Sequence, residues 1–333
     1  MASSANGPRR VTIDDVARAA GVSRQTVSRA LNDKGEIDAS TKQRVLDTAH
    51  ELGYRPSRFA RGLVRQDSIS VGLMIPDLLN PFFTEVAAAA LEAARKRGWH
   101  VVVYDTGDRV EEERGTLEVI ASQVDAVVGY LSLPEGEIDK LIRGLPAVLI
   151  DREHRAERYN AIRIDGEAGV HAAIRHLADA GHHRIAMLDH AARSEPSIRH
   201  HWFATAMAAC GLEPVAVSRA DQSLEGGEHA LRELLAGHPD VTAVFTFNDI
   251  IAIGALRAAR RLGRRVPRDL AVIGFDGLQL GTLVEPALTT VALDTRELGA
   301  LTIEQAGRLL ARSGPLSHDE AAVKAELRLR ESA

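Results

Sequence analysis

Hydrophobic positions in the first 53 residues recur at helical spacing. From residue 69 the pattern changes to short apolar runs alternating with longer amphipathic stretches. In the first segment Ile13, Val16, Ala17 and Ala20 share one helix face, and Gly21 ends the run. Thr12 stands at the N-cap position, with Asp15 three residues on as a weak capping box. Ser23 is placed to cap a second helix over 24–32. A third follows Ser40 and runs from Lys42 to Leu52, with Val45, Leu46, Ala49 and Leu52 turned inward and Gly53 as its stop. Val16, Val22, Val27, Leu31, Val45 and Leu46 make the predicted core of this three-helix head.

In the second segment strands are predicted at 69–75, 100–104, 126–130, 147–150, 161–164, 184–188, 213–217, 243–247, 270–274 and 289–292. Helices fit between most of them, at 82–97, 111–121, 167–180, 199–210, 225–236, 249–262 and 295–312. The alternation predicts βαβ units and parallel sheets covered on both faces. So many strands exceed one comfortable doubly wound sheet, which favours two similar lobes with a ligand cleft at the carboxyl ends of the strands.

Composition agrees with a folded core: 45% of residues are hydrophobic and 26% charged. A single cysteine, Cys210, excludes an internal disulfide framework and a cysteine-based zinc site. No apolar run of membrane-spanning length occurs, and the first residues lack a signal-peptide pattern, so a cytoplasmic location without membrane attachment is expected. The net charge of -5 conceals an asymmetry. Residues 1–66 hold 12 Lys/Arg against 7 Asp/Glu, a net +5, which leaves -10 for the rest. A basic head on an acidic body suits a protein whose head touches phosphate.

The second head helix exposes Arg24, Gln25, Ser28 and Arg29. Arginine pairs with guanine and glutamine with adenine, so Arg24 and Gln25 are the candidate base readers. Thr12, Ser23, Thr26 and Arg29 are candidates for positioning on the DNA backbone. Residues 54–66, YRPSRFARGLVRQ, combine Arg58, Arg61 and Arg65 with an apolar stripe of Phe59, Ala60, Leu63 and Val64. A helix this short needs a partner to be stable, and it reads either as a basic linker or as a hinge that folds in the minor groove and wedges Leu63 between base pairs. In the body, polar residues cluster after strands: Asp77 and Asn80, Asp151 and Arg152, Asp165, Asn248 and Asp249, and Asp276. Carboxylates and an arginine converging on one cleft suit ligand hydroxyls, although each residue alone also reads as a cap or turn residue. There is no GxGxxG, P-loop or nucleophile–base arrangement, and no cofactor is expected. His182, His183, His190, His200 and His201 lack ligand spacing for a metal and read as surface and loop residues.

Several strings resemble the LacI/GalR family of transcriptional regulators: VTIDDVARAAGVSRQTVSRALN, HELGYRP with ARGL downstream, ISVGLMIPDLLNPFF, HLADAGHHRIAML, FTFNDIIAIGALRAARRLGRRVPRDLAVIGFDG and PALTTVALDT. The resemblance covers nearly all of residues 11–331. It implies an α/β fold with an N-terminal three-helix helix-turn-helix domain and a two-lobed periplasmic-binding-protein-like core of two parallel sheets. The implied division is a disordered tail at 1–10, the DNA-binding domain at 11–56 and a hinge helix and linker at 57–66. One lobe takes 67–163 with 293–320, and the other 164–292 with 321–333. The resemblance also implies a homodimer on a near-palindromic double-stranded operator. Arg24 and Gln25 then read bases, with Ser28 and Arg29 nearby. Arg55, Arg58, Ala60 and Leu63 are the contacts expected around the hinge.

For the effector the resemblance points to Phe82, Asp151, Arg199, Asn248 and Asp276, alongside the strand-end candidates Asn80 and Asp165. Three departures stand out. Gln222 occupies the place of an aromatic platform, Trp202 replaces a small glycine where it refills the stacking role or narrows the cleft, and Gly277 follows Asp276 where a second aspartate is common. No tetramer-forming leucine repeat follows Leu327, so a dimer is expected. The function implied is that of a repressor, not an enzyme, whose operator affinity is set by a small hydroxyl-rich effector such as a sugar. The alternative is a nucleoside or purine corepressor; a sugar-binding protein or enzyme without a regulatory role is more remote.

Overall fold

The computed structural model describes residues 13–31, 37–52, 69–142, 144–151, 159–190, 196–311 and 320–333. They belong to two compact units, Met1–Ser68 and Ile69–Ala333. Thr12, Arg55, Arg58, Ala60, Leu63 and Arg152 lie outside the described residues, as does the expected hinge.

In the head, α1 (Ile13–Ala20), α2 (Arg24–Leu31) and α3 (Ala39–Glu51) pack on one another. Gly21, at φ 66°, supplies the left-handed turn between α1 and α2. Ser23 caps α2 by accepting the Thr26 N–H at 3.1 Å. The third helix starts earlier than predicted, because Asp38 and not Ser40 is its cap. The Asp38 carboxylate accepts from the Thr41 N–H at 3.0 Å and from the Ser40 hydroxyl. A carboxylate is the stronger acceptor and also matches the positive end of the helix. The core is thin, built from Val16, Ala17, Ala20, Val27, Ala30, Val45 and Ala49, with Ile13, Val22 and Ile37 at its edge. Leu46 and Leu52, expected inside, are 36% and 39% exposed. The buried stripe of α3 follows Val45 and Ala49, four residues apart, which turns Leu46 aside. The side chain of Leu31 is outside the described ones.

The body alternates β1 (Ser70–Ile75), α4 (Pro81–Lys96), β2 (His100–Asp105), α5 (Val110–Ile120), β3 (Ala126–Gly129), α6 (Glu135–Ile142), β4 (Ala147–Ile150) and β5 (Asn160–Asp165). It continues with α7 (Glu167–Asp179), β6 (Ile185–His190), α8 (Ile198–Ala209), β7 (Val217–Ala220), α9 (Leu224–Gly237), β8 (Ala243–Thr246) and α10 (Asp249–Arg261). The last elements are β9 (Ala271–Asp276), β10 (Thr289–Leu293), α11 (Thr295–Leu310) and β11 (Glu320–Arg328). Strands lie in the order β2-β1-β3-β4-β5-β11-β10-β9-β8-β6-β7. Every neighbouring pair is parallel except β10 with β11. Strand β11 therefore belongs to both halves, pairing parallel with β5 and antiparallel with β10. The periodic pattern did not mark it, nor the short α6. Strand β7 begins at Val217, later than predicted, and pairs through Val217–Ala220 with Met187–His190. Pro214, inside the predicted span, has no N–H to give a ladder.

Helix caps fix the strand-to-helix corners. Asn80 accepts from Phe82 N–H with Pro81 at the first helical position, and Ser197, Ser223, Asn248 and Asp294 cap α8, α9, α10 and α11 in the same way. Gly299 lets α11 press onto the α4 backbone at Val86, where a Cβ would meet the carbonyl oxygen at 2.5 Å. Asp38→Ala should lower the melting temperature of the head transition more than Ser40→Ala, followed by circular dichroism; equal shifts would return the cap to Ser40.

Candidate effector cleft and DNA-reading surface

The carboxyl ends of the body's parallel strands converge on a cavity of about 320 Å³. From the first half its wall takes Phe83, Thr106, Asp108, Tyr130, Ser132 and Asp151; from the second, His190, Ser197, Gln222 and Phe247. The loops are held from behind. Glu113 of α5, buried, accepts from the Ser132 and Leu133 N–H groups, each at 3.0 Å, and from the Ser132 hydroxyl at 2.5 Å. Gly129, at φ 133°, lies against the Met74 backbone where no Cβ fits, and so delivers Tyr130 to the wall. Asp189 accepts from the Ser197 hydroxyl at 2.6 Å, fixing the start of α8 and with it Arg199.

Arg199 is 7% exposed and its guanidinium lies over two rings, 4.3 Å from the Phe247 centroid and 4.0 Å from that of Phe275. Its Nη1 donates to the Phe247 carbonyl at 2.5 Å, and Nη2 stands 3.4 Å from Asp276 Oδ1. Asp276 is almost fully buried, and burial raises its carboxyl well above the usual range. Arg199 opposes that rise, while the nearby carboxylates of Asp249 and Asp151 add to it. Burial likewise lifts the Tyr130 phenol, with Asp151 and Asp276 contributing, so it stays a neutral donor. Asp249 is pushed up to about 7 by burial, against the opposing bonds from the Thr290 hydroxyl (2.6 Å) and the Leu278 N–H (2.7 Å). Among the described residues the buried side-chain polar atoms without a hydrogen-bond partner are Tyr130 Oη, His190 Nδ1 and Asp276 Oδ1. Tyr130 and His190 line this cavity, and Asp276 acts on Tyr130 electrostatically. Orphaned polar atoms are costly, so their concentration at one cleft points to a ligand.

The structure places the sequence candidates unequally. Asp151 and Gln222 line the cavity. Arg199, Asn248 and Asp276 back its wall: Asn248 donates to Gln222 at 2.8 Å while its Oδ1 caps α10. Phe82 is a correction, because it sits in the core, and its neighbour Phe83 reaches the cavity. Consecutive helical residues point about 100° apart, so the two cannot share a face. Asn80 serves as the α4 cap, and Asp165 stands 3.8 Å from Arg163 at the end of β5; neither lines the cavity. Trp202 stacks on Phe275 at 6.3 Å within the core and offers no platform to the cavity. His190 is likewise no surface histidine: its side chain is 12% exposed and it forms part of the cleft wall. Sequence reasoning also missed Phe83, Tyr130, Ser132, Asp108 and Phe247. Tyr130 and Phe247 directly follow β3 and β8, so the strand-end rule applied to aromatic residues would have found them.

On the head, Ser23, Arg24, Gln25 and Arg29 are exposed, and Thr26 and Ser28 are half-buried. Arg24 Nη1 lies 3.8 Å from Asp14, both well exposed, a pair that contributes little and yields readily to a stronger anion. The Ser23 and Thr26 hydroxyls bond at 2.9 Å beside the amino end of α2.

A helix-turn-helix with a cationic second helix in one unit, and a cavity at the strand ends of the other, are the parts of a ligand-responsive DNA-binding protein. Residues 12–57 match the profile of bacterial regulatory proteins of the lacI family, and residues 174–333 that of a periplasmic binding protein-like domain. The ribose operon repressor of Halalkalibacterium halodurans is 36% identical over 87% of this chain and 88% of its own. Catabolite control protein A of Priestia megaterium is 33% identical over 88% and 90%. Among solved structures, a LacI family regulator from Arthrobacter in complex with lactose is 35% identical, with a TM-score of 0.73 over 80% of this chain and 99% of that one. The lac repressor dimer bound to operator and an anti-inducer reaches 0.75 at 27% identity, over 97% and 99%. This chain belongs to the LacI family; it is a DNA-binding transcriptional regulator and not an enzyme. Among the described residues no helix is long and apolar enough to cross a membrane.

The raised Asp249 carboxyl has a consequence for stability. The folded state holds its proton more tightly than the unfolded chain does, so the stability it contributes is complete below pH 4 and lost as pH rises through about 7. Asp249→Asn should flatten urea-unfolding stability across that window relative to the wild type. Parallel pH profiles for the two proteins would contradict the assignment.

Proposed function

We propose that this protein is a homodimeric cytoplasmic repressor that binds a near-palindromic operator and is released from it by a neutral, hydroxyl-rich sugar held in the cleft. The observation that carries the reading is the cavity wall, with donors at Tyr130 and His190 and carboxylate acceptors at Asp108 and Asp151. Sugar hydroxyls serve both kinds of partner. The Asp108 and Asp151 carboxylates outnumber Arg109 on the wall and disfavour an anionic ligand. The names of the ribose operon repressor and of the lactose-bound regulator support the same class. The lobes of the body take residues 67–163 with 293–320 and 164–292 with 321–333. Sugar binding changes their closure, and residues 57–66 carry that change to the head. A short hinge is marginally stable, so a few kcal/mol of bias suffices to switch it.

Isothermal titration calorimetry against ribose, galactose, lactose, cellobiose and a nucleoside set tests the ligand class. Saturable heat is expected with a sugar, weakened about 10- to 100-fold by Arg199→Ala, the scale of a hydrogen-bonded charged group. Saturable heat only with a nucleoside or an anionic compound would refute the class. For the head, Arg24 and Gln25 read bases while Ser23, Thr26, Ser28 and Arg29 hold the DNA backbone. Arg24→Ala should cost about 1–3 kcal/mol of discrimination at one operator position. Arg29→Ala should weaken all operator variants alike. A uniform loss for Arg24→Ala in gel-shift titrations would count against its role.

A further inference from the structure

A chain of directional hydrogen bonds runs into the cleft and ends on an unsatisfied donor. It starts at the backbone N–H of Ile251 in the first turn of α10, which donates to Asn248 Oδ1 at 2.9 Å. That backbone group can only donate, so Asn248 turns its Nδ2 outward, where it donates to Gln222 Oε1 at 2.8 Å. Gln222 must then present its own amino group to His190, with Nε2 to Nε2 at 3.2 Å. An amide nitrogen does not accept, so His190 Nε2 carries the lone pair and the imidazole proton sits on Nδ1. Nδ1 is buried and has no partner among the described residues. Asp108 Oδ2 stands 3.6 Å from Nε2, beyond hydrogen-bond reach, and its half-exposed carboxylate keeps its water.

We propose that His190 is a specificity-determining residue of the cleft, locked by the Ile251–Asn248–Gln222 chain as the neutral Nδ1–H tautomer and donating that N–H to a ligand oxygen. The proposal rests on the effector cleft argued above and narrows what it takes. Two of the unsatisfied atoms, His190 Nδ1 and Tyr130 Oη, are donors on residues that line the cavity, while the third, Asp276 Oδ1, lies behind the wall beside Arg199. Hydroxyls of an uncharged polyol or saccharide satisfy both donors and give their own hydrogens to the Asp108 and Asp151 carboxylates of the wall. A phosphate or carboxylate satisfies the donors but meets Asp108 and Asp151, which outnumber Arg109 on the wall, and a hydrocarbon satisfies none. Gln222 is thus a positioning residue: it sets which nitrogen of His190 faces the ligand.

Long-range 1H–15N correlation spectra of the full chain, labelled at histidine, report each tautomer. The His190 signals are assigned by their loss in His190→Phe. The wild type should show Nδ1 protonated and Nε2 bare in mildly alkaline buffer. Gln222→Glu, which places acceptors toward both neighbours, should move the proton to Nε2. In calorimetry with ribose, lactose and cellobiose, His190→Phe should lose about tenfold or more in affinity for whichever saccharide the wild type binds. His190→Gln serves as a second variant if melting shows that the first is unfolded. A wild-type His190 protonated on Nε2, or unchanged affinity in a folded His190 variant, would overturn the proposal. Absence of heat with every saccharide would overturn the ligand class and the donor role together, while the spectrum alone decides the tautomer lock.

Discussion

Burying Asp276 at the end of β9 is the constraint around which the cleft is built. A carboxyl that is 3% exposed must be neutralised, paired or both. Its raised proton affinity supplies part of the answer, and Arg199, 3.4 Å away, supplies the rest. Arg199 in turn is held by the Phe247 carbonyl and by two aromatic faces, so its charge is also deeply buried. Removing either partner leaves the other stranded, a change that typically costs about 3–5 kcal/mol for buried pairs. The Asp189–Ser197 cap at the start of α8 and the Phe275–Trp202 stack behind β9 then read as supports for one arginine.

That dependence explains which residues were legible in the chain. Polar side chains after strands are conspicuous, and Asp151, Asn248 and Asp276 were found that way. Arg199 and Gln222 came from family resemblance, since neither α8 nor the edge strand β7 signals a ligand wall by pattern. Phe82 and Phe83 are adjacent in sequence, so only the start of the helix, set by Asn80 and Pro81, decides which one faces the cavity. His190 lay among several histidines with no spacing to separate it. Its role emerged from a hydrogen-bond chain that crosses 61 residues of sequence, from His190 to Ile251.

Among the described residues the strand periodicity found β1 to β6 and β8 to β10, met β7 only at Val217, and missed β11, whose charged residues Glu320, Lys324, Glu326 and Arg328 obscure its alternation. Only Val323 and Ala325 of that strand are buried. Yet β11 is what joins the two halves of the body, pairing with β5 on one side and β10 on the other. In the head, the small core of valines and alanines leaves Arg24, Gln25 and Arg29 of α2 exposed.

Control of the head by occupancy of the cleft is open to direct measurement. Fluorescence anisotropy of a labelled operator, titrated with the full chain in the presence and absence of a sugar shown to bind, measures that control directly. Saturating sugar should weaken operator binding by at least tenfold, and the Arg199→Ala protein should keep its operator affinity but need about 10- to 100-fold more sugar for the same response. Identical operator titration curves for the wild type with and without bound sugar would contradict it.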